Sequence, residues 1–193
     1  MTPLRLVLAS TSKYRTELLS RLHLPFDTVS PDVIESRHKG ESGPDMCMRL
    51  AALKARAVAT RAPGSVVIGS DQCAVRDGEV LGKPGTVEIA REQLQAASGH
   101  HVDFHTAVCV IDASGDEQAF ADITRVRFRR LDAETIRRYV DIERPLDCAG
   151  SFKVEGLGIS LFESVESRDP TALIGLPLIQ LAACLRRLGY ELP

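Results

Sequence analysis

Leu4–Ala9 (LRLVLA) is a short apolar run closed by Ser10, and it predicts a buried strand. From Ser12 the apolar positions change to helical spacing, with Leu18, Leu19 and Leu22 on one face while Arg15 and Glu17 point elsewhere. Pro25–Ser30 predicts a second strand. Ile34 to Pro44 is polar and rich in Gly, Ser and charge, which predicts an exposed loop. Pro44 stands where a first helical residue would, and Met48, Leu50, Ala51, Ala55 and Val58 carry a helix to about Thr60. Ser65–Ile68 (SVVI) predicts a buried strand that ends at Gly69-Ser70-Asp71-Gln72.

Asp77-Gly78 marks a tight turn between Cys73–Arg76 and Glu79–Leu81, so a small hairpin is expected there. Thr86 caps a helix to about Ser98. His101–Asp112 and Glu117–Arg129 read as two long strands joined at Ser114-Gly115, and Asp132 caps a helix to about Ile142. Residues 144–158 predict a glycine-containing loop and Leu157–Glu163 a strand. Pro177–Leu188 predicts a closing helix with Leu178, Leu181 and Leu185 inward. Strands alternating with helices predict an α/β fold around one sheet, and the adjacent long strands make that sheet mixed. With no repeat, low-complexity tract or linker, one domain over residues 1–193 is expected.

Composition narrows the function classes. A hydrophobic fraction of 44% and a charged fraction of 26% are ordinary for a globular enzyme. A formal net charge of −2 argues against nucleic-acid binding through a broad basic surface. Five scattered cysteines without a CxxC pair suit a reducing compartment better than disulfides or structural zinc. MTPLRLVLAS lacks the form of a leader, and no run reaches the roughly 18 apolar residues a membrane helix needs. A cytoplasmic protein without a membrane partner is therefore expected.

Candidate chemistry sits at several junctions. Ser10-Thr11-Ser12-Lys13-Tyr14-Arg15 lies between a strand and a helix N-terminus, where unpaired N–H groups and the helix dipole favour an anion. Ser10 and Ser12 add hydroxyls, and Arg15 can grip a phosphate with two N–H groups. A plain helix cap by Ser12 and a solvated Arg15 explain the same residues. Asp71 ends a predicted central strand, where open α/β sheets place ligands, and can hold Mg²⁺ or orient a water; it can equally cap a turn. Lys83, in LGKP, either faces a polyphosphate or lies on the surface. Lys54, among alanines and leucines, either extends into a site or snorkels. Ala149–Gly158 (AGSFKVEGLG) holds three glycines with Lys153 and Glu155, as a ligand-hugging loop or a bare turn would. Gly175-Leu176-Pro177 turns the chain into the last helix. His101 and His105 share a strand face with a spacing open to a weak metal pair.

Taken in order, LASTSKYRTELL, Glu35, RLAALKARA, GSDQ, GKP, AGSFKVEGLGI and GLPL resemble the Maf family of nucleotide pyrophosphatases over nearly the whole chain. The resemblance implies a two-lobed α/β fold with a cleft, similar to that of inosine-triphosphate pyrophosphatases. It also implies divalent-metal-dependent (Mg²⁺, or Mn²⁺) cleavage of a nucleoside triphosphate to monophosphate and diphosphate. Asp71 then corresponds to the catalytic base, and Glu35 to a second acidic metal or water ligand. Ser10, Arg15, Lys54 and Lys83 correspond to polyphosphate contacts, with Ser12 and Lys153 beside them. Many relatives carry an acidic residue before the one matching Glu35, whereas this chain has Ile34. Relatives often pair, which makes a homodimer an expectation.

Branches of the family differ at the positions of Tyr14, Gln72 and Glu155. The thymidine/uridine-triphosphate branch carries Arg, Thr and Gln there, whereas an aromatic residue, Gln and Glu resemble the branch that cleaves 7-methyl-GTP. N7-methylation makes guanine cationic, and an aromatic face attracts a flat cation by on the order of 0.5–2 kcal/mol. The Glu155 carboxylate suits the N1–H and 2-amino donors of guanine together. Tyrosine stacks with less area than the tryptophan of that branch. A broader pyrophosphatase for modified nucleotides, a dTTP/UTP pyrophosphatase and a nucleotide-binding regulator of cell division remain the alternatives.

Overall fold

Side-chain caps start three of the helices where the sequence offered them. Ser12, Thr86 and Asp132 accept from the N–H groups of Arg15, Ile89 and Thr135 and open α1 (Lys13–Ser20), α3 (Val87–Ala97) and α4 (Ala133–Glu143). Ser42 does the same for α2 (Gly43–Ala59), with Pro44 in its first turn. Pro177 precedes α5 (Leu178–Arg187). The computed structural model describes residues 4–193, so the first three residues of the stretch read for a leader lie outside it.

The strands are β1 (Leu6–Ala9), β2 (Phe26–Thr28), β3 (Val66–Arg76), β4 (Glu79–Leu81), β5 (His101–Ile111), β6 (Glu117–Phe128) and β7 (Phe162–Glu166). They form one sheet in the order β2-β1-β3-β5-β6-β7, with β4 paired to β3 off that path. β1 runs parallel to β2 and β3, whereas β3–β4 and β6–β7 are antiparallel, so the expected mixed α/β sheet is present. Among the described residues no helix is long and apolar enough to cross a membrane.

Two predicted boundaries are corrected. β3 does not end near Asp71. Its parallel pairing with β1 stops at Ala9↔Gly69, but the chain stays extended to pair Ala74–Arg76 with β4 across the Asp77-Gly78 turn. Asp71 therefore lies mid-strand, between one pairing partner and the next. The strand read at Leu157–Glu163 begins at Phe162, because Leu157–Leu161 coils as a 3-10 helix. The apolar run misled: Leu157 and Ile159 are exposed, and the backbone at Gly158 closes on the Lys153 carbonyl, where a Cβ has no room.

The chain divides into two compact units, each assembled from separate segments. Unit 1 comprises Met1–Asp71, Thr106–Asp122 and Asp169–Pro193. Its core packs Leu6, Leu8, Val66 and Ile68 of the strands with Leu18 and Leu19 of α1 and Leu181 and Leu185 of α5. Unit 2 comprises Gln72–His105 and Ile123–Arg168. Its core holds Phe104, Phe128, Phe152 and Phe162 edge to face, with centroids 4.8–5.8 Å apart.

Candidate functional site

The chemistry of unit 1 gathers where α2 lies on β3. Cys47, Leu50, Ala51, Ala55 and Val58 bury one stripe of α2, and Lys54 belongs to that stripe. The helix can approach because β3 presents Gly69 to it. A Cβ there would overlap the Ala51 carbonyl and come within 2.6 Å of the Ala55 nitrogen. The close approach carries the Lys54 ammonium to Asp71, two residues further along β3. Lys54 Nζ donates to Asp71 Oδ1 at 2.6 Å, with the two residues 5% and 6% exposed. Its second carboxylate partner is Glu35 Oε1 at 3.0 Å, from the loop before α2. Lys54 thus extends into a charged cluster, and the snorkelling alternative falls away.

Arg15 joins this cluster from α1. It is partly buried, and burial lowers its pKa from the ordinary value while the nearby charges of Asp71 and Glu35 oppose that fall. Its Nε donates to the Gly175 carbonyl at 3.0 Å, and Ser70 Oγ donates to the same oxygen at 3.1 Å. The Gly175-Leu176-Pro177 turn, read from sequence as a chain reversal, therefore also anchors Arg15. Ser10 is buried and accepts from the Ser12 N–H at 3.1 Å, and Ser12 performs the ordinary capping job. Tyr14 is partly exposed, with Lys13 Nζ 4.9 Å from its ring centroid.

Two carboxylates from separate segments thus bracket one cation, the Lys54 ammonium. Such a pair of hard oxygen donors fits a divalent cation of the kind bound by one or two carboxylates plus substrate phosphates. Among the described residues no three His, Cys, Asp or Glu side chains gather as a metal-binding group, and His101 contacts Arg127 rather than a third ligand.

Gln72, Lys83, Lys153 and Glu155 belong to unit 2. Lys83 and Glu155 are exposed and Gln72 is partly buried. The Lys153 ammonium donates to the Glu143 carbonyl at the end of α4, and its N–H donates to the Tyr139 hydroxyl. Gln93 of α3 links two of the predicted motifs, accepting from Ser151 Oγ and donating to the Gly82 carbonyl at 3.2 Å. Gln93 and Glu41 lie outside the motifs, and Arg49 stands in one, RLAALKARA, only as its first residue.

Fold and site together define an α/β protein with a buried lysine held by two carboxylates beside an arginine. The family model described as Maf-like protein matches residues 5–188, and the chain belongs to that family. A Xanthomonas oryzae pv. oryzae protein named 7-methyl-GTP pyrophosphatase is 57% identical, covering 98% of this chain and 99% of its own length. A Pseudomonas aeruginosa protein of the same name is 53% identical, covering 97% of this chain and 98% of its own length. Among solved structures, the Ham1 protein of Staphylococcus aureus aligns with a TM-score of 0.53 over 95% of this chain and 98% of that one. At 14% identity this is a likeness of fold.

Proposed function

We propose that the chain is a nucleoside-triphosphate pyrophosphatase that hydrolyses 7-methyl-GTP to 7-methyl-GMP and diphosphate. The observation that carries the chemistry is the buried Lys54 ammonium shared by Asp71 and Glu35, with Arg15 alongside. The name shared by relatives at 53–57% identity supports the substrate.

In this reading a water attacks the α-phosphorus, its proton passes to an Asp71 oxygen, and the bond to the bridging oxygen breaks with diphosphate leaving. Lys54 holds Asp71 aimed through their hydrogen bond, and Arg15 grips the phosphates through the guanidinium edge left beside its bond to Gly175. Ser10, Ser12, Lys83 and Lys153 are assigned to the polyphosphate on the motif match. A divalent cation, Mg²⁺ in the first instance, held by Asp71 and Glu35 would neutralise charge on the triphosphate. Base choice is assigned to Tyr14, Gln72 and Glu155. For Tyr14 the support is its partly exposed aromatic ring, whose face attracts a flat cation. A 7-methylguanine ring would be such a cation.

Diphosphate release measured with 7-methyl-GTP, GTP, dTTP and UTP under Mg²⁺ tests this reading. Fastest turnover of 7-methyl-GTP is expected. Fastest turnover of dTTP or UTP would overturn the base assignment, and a flat profile would favour a general role in clearing modified nucleotides.

A further inference from the structure

Glu35 raises a mechanical question. Its side chain is 53% exposed, and residues 29–42 form neither helix nor strand, yet its carboxylate meets a buried ammonium at 3.0 Å. A loop without ladder hydrogen bonds needs another hold on its backbone.

That hold comes from α2, the helix that also supplies Lys54. Arg49 donates through Nε to Glu41 Oε1 at 2.6 Å and through Nη2 to Glu41 Oε2 at 2.7 Å. The same Nη2 donates to the Ser36 carbonyl at 3.0 Å, so the guanidinium grips the backbone one residue after Glu35. Glu41 closes the turn from its other side: Oε2 accepts from the His38 N–H at 3.0 Å, and its own carbonyl accepts from Arg37 Nε at 2.7 Å. The Glu41 side chain is 10% exposed, although its neighbours in the loop face solvent. The hydrogen bonds from Arg49, then that from His38, pull the Glu41 carboxyl down to about 2, so the pair stays charged at neutral pH.

We propose that Arg49, with Glu41, is a positioning residue that straps the Glu35 loop to α2 and so sets where the Glu35 carboxylate meets Lys54 and Asp71. The inference rests on the pyrophosphatase reading, in which Glu35 orients the metal or the water. A solvent-reaching ion pair adds little to stability. Its effect here is on geometry: groups that orient a ligand carboxylate typically change activity or metal affinity about 10–100-fold when removed. Lysine at position 49 would keep the charge but not the two-pronged grip.

The test compares wild type with R49Q, R49K, E35Q and R49Q/E35Q in the full chain. Two readouts are taken: steady-state hydrolysis of 7-methyl-GTP, and backbone hydrogen exchange. R49Q is expected to lower kcat about tenfold or more, to leave KM within about twofold, and to raise the Mg²⁺ concentration for half-maximal rate. R49K recovers little, and R49Q adds nothing to E35Q. Amides of residues 36–41 exchange faster in R49Q, while those of α2 keep their wild-type protection. The proposal is overturned if R49Q multiplies the E35Q loss, if KM rises with kcat intact, or if R49K restores the rate. Unchanged exchange at 36–41 also overturns it. A wild type that hydrolyses none of the triphosphates would sink the pyrophosphatase reading instead, and the exchange comparison would still decide whether Arg49 straps the loop.

Discussion

Replacing Lys54 by Met removes the ammonium that two carboxylates share while keeping most of the side-chain volume. Asp71, 6% exposed, is then left as a buried charge without this partner. Breaking a buried pair from one side costs about 3–5 kcal/mol. The Glu35 contact adds less than about 1 kcal/mol, because its half-exposed carboxylate is solvated and screened. The charge of Arg15 on Asp71 offsets part of the loss, leaving an expected destabilisation of about 2–4 kcal/mol. For a chain of this length each kcal/mol moves Tm by about 2–4 °C, so a fall of about 5–15 °C is expected in thermal melts at pH 7. K54M/D71N removes both charges and should melt above K54M. A K54M protein melting within about 2 °C of wild type, or a double variant below both singles, would refute the buried-pair description.

Two further outcomes follow from the same geometry. Gly69→Ala places a methyl against the Ala51 carbonyl and the Ala55 backbone; it should cost about 1–3 kcal/mol or more by urea denaturation and lower hydrolysis further by drawing Lys54 from Asp71. Wild-type stability and rate in G69A would contradict the close approach of α2 to β3. Bonds from Arg49, Arg56 and Arg125 depress the folded-state pKa values of Glu41, Glu117 and Asp103. Depressed carboxyls contribute stability that is complete above their ordinary values and is lost as pH falls through the folded ones, because the unfolded chain then binds more protons. These carboxyls should therefore make urea midpoints fall as pH drops from about 4.5 towards about 2, the value for Glu41; no fall between about pH 4.5 and 3 would contradict this.

Local chemistry in the sequence located most elements. Ser12, Thr86 and Asp132 cap helices because each offers a short-range acceptor to an N–H three residues on, a relation visible in sequence. The hairpin at Asp77-Gly78 was equally legible. β3 was cut short because its second half pairs with a different strand than its first, and partner exchange leaves no mark on hydrophobic pattern. Leu157–Leu161 looked like a strand because apolar runs do not distinguish exposed coils from buried strands. Lys54 and Asp71 were each legible as candidates but their pairing was not, because it depends on the close approach that the small residues Ala51, Ala55 and Gly69 allow. Arg49 and Gly175 lie within the motifs RLAALKARA and GLPL, but their contacts were not legible because they run through backbone carbonyls at Ser36 and at Gly175 itself. Any residue type supplies a carbonyl, so sequence carries no signal for it.

Asp71 is proposed to serve hydrolysis of the triphosphate as its general base. The most direct test of this role is diphosphate release from 7-methyl-GTP under Mg²⁺ by wild type and by Asp71→Asn, with folding of the variant checked by its melt. Wild type should yield 7-methyl-GMP and diphosphate in equal amounts, and D71N should be slower by about 10²–10⁴-fold, the usual worth of a positioned general base. A folded D71N that releases diphosphate at close to the wild-type rate, or a wild type that yields orthophosphate instead, would contradict it.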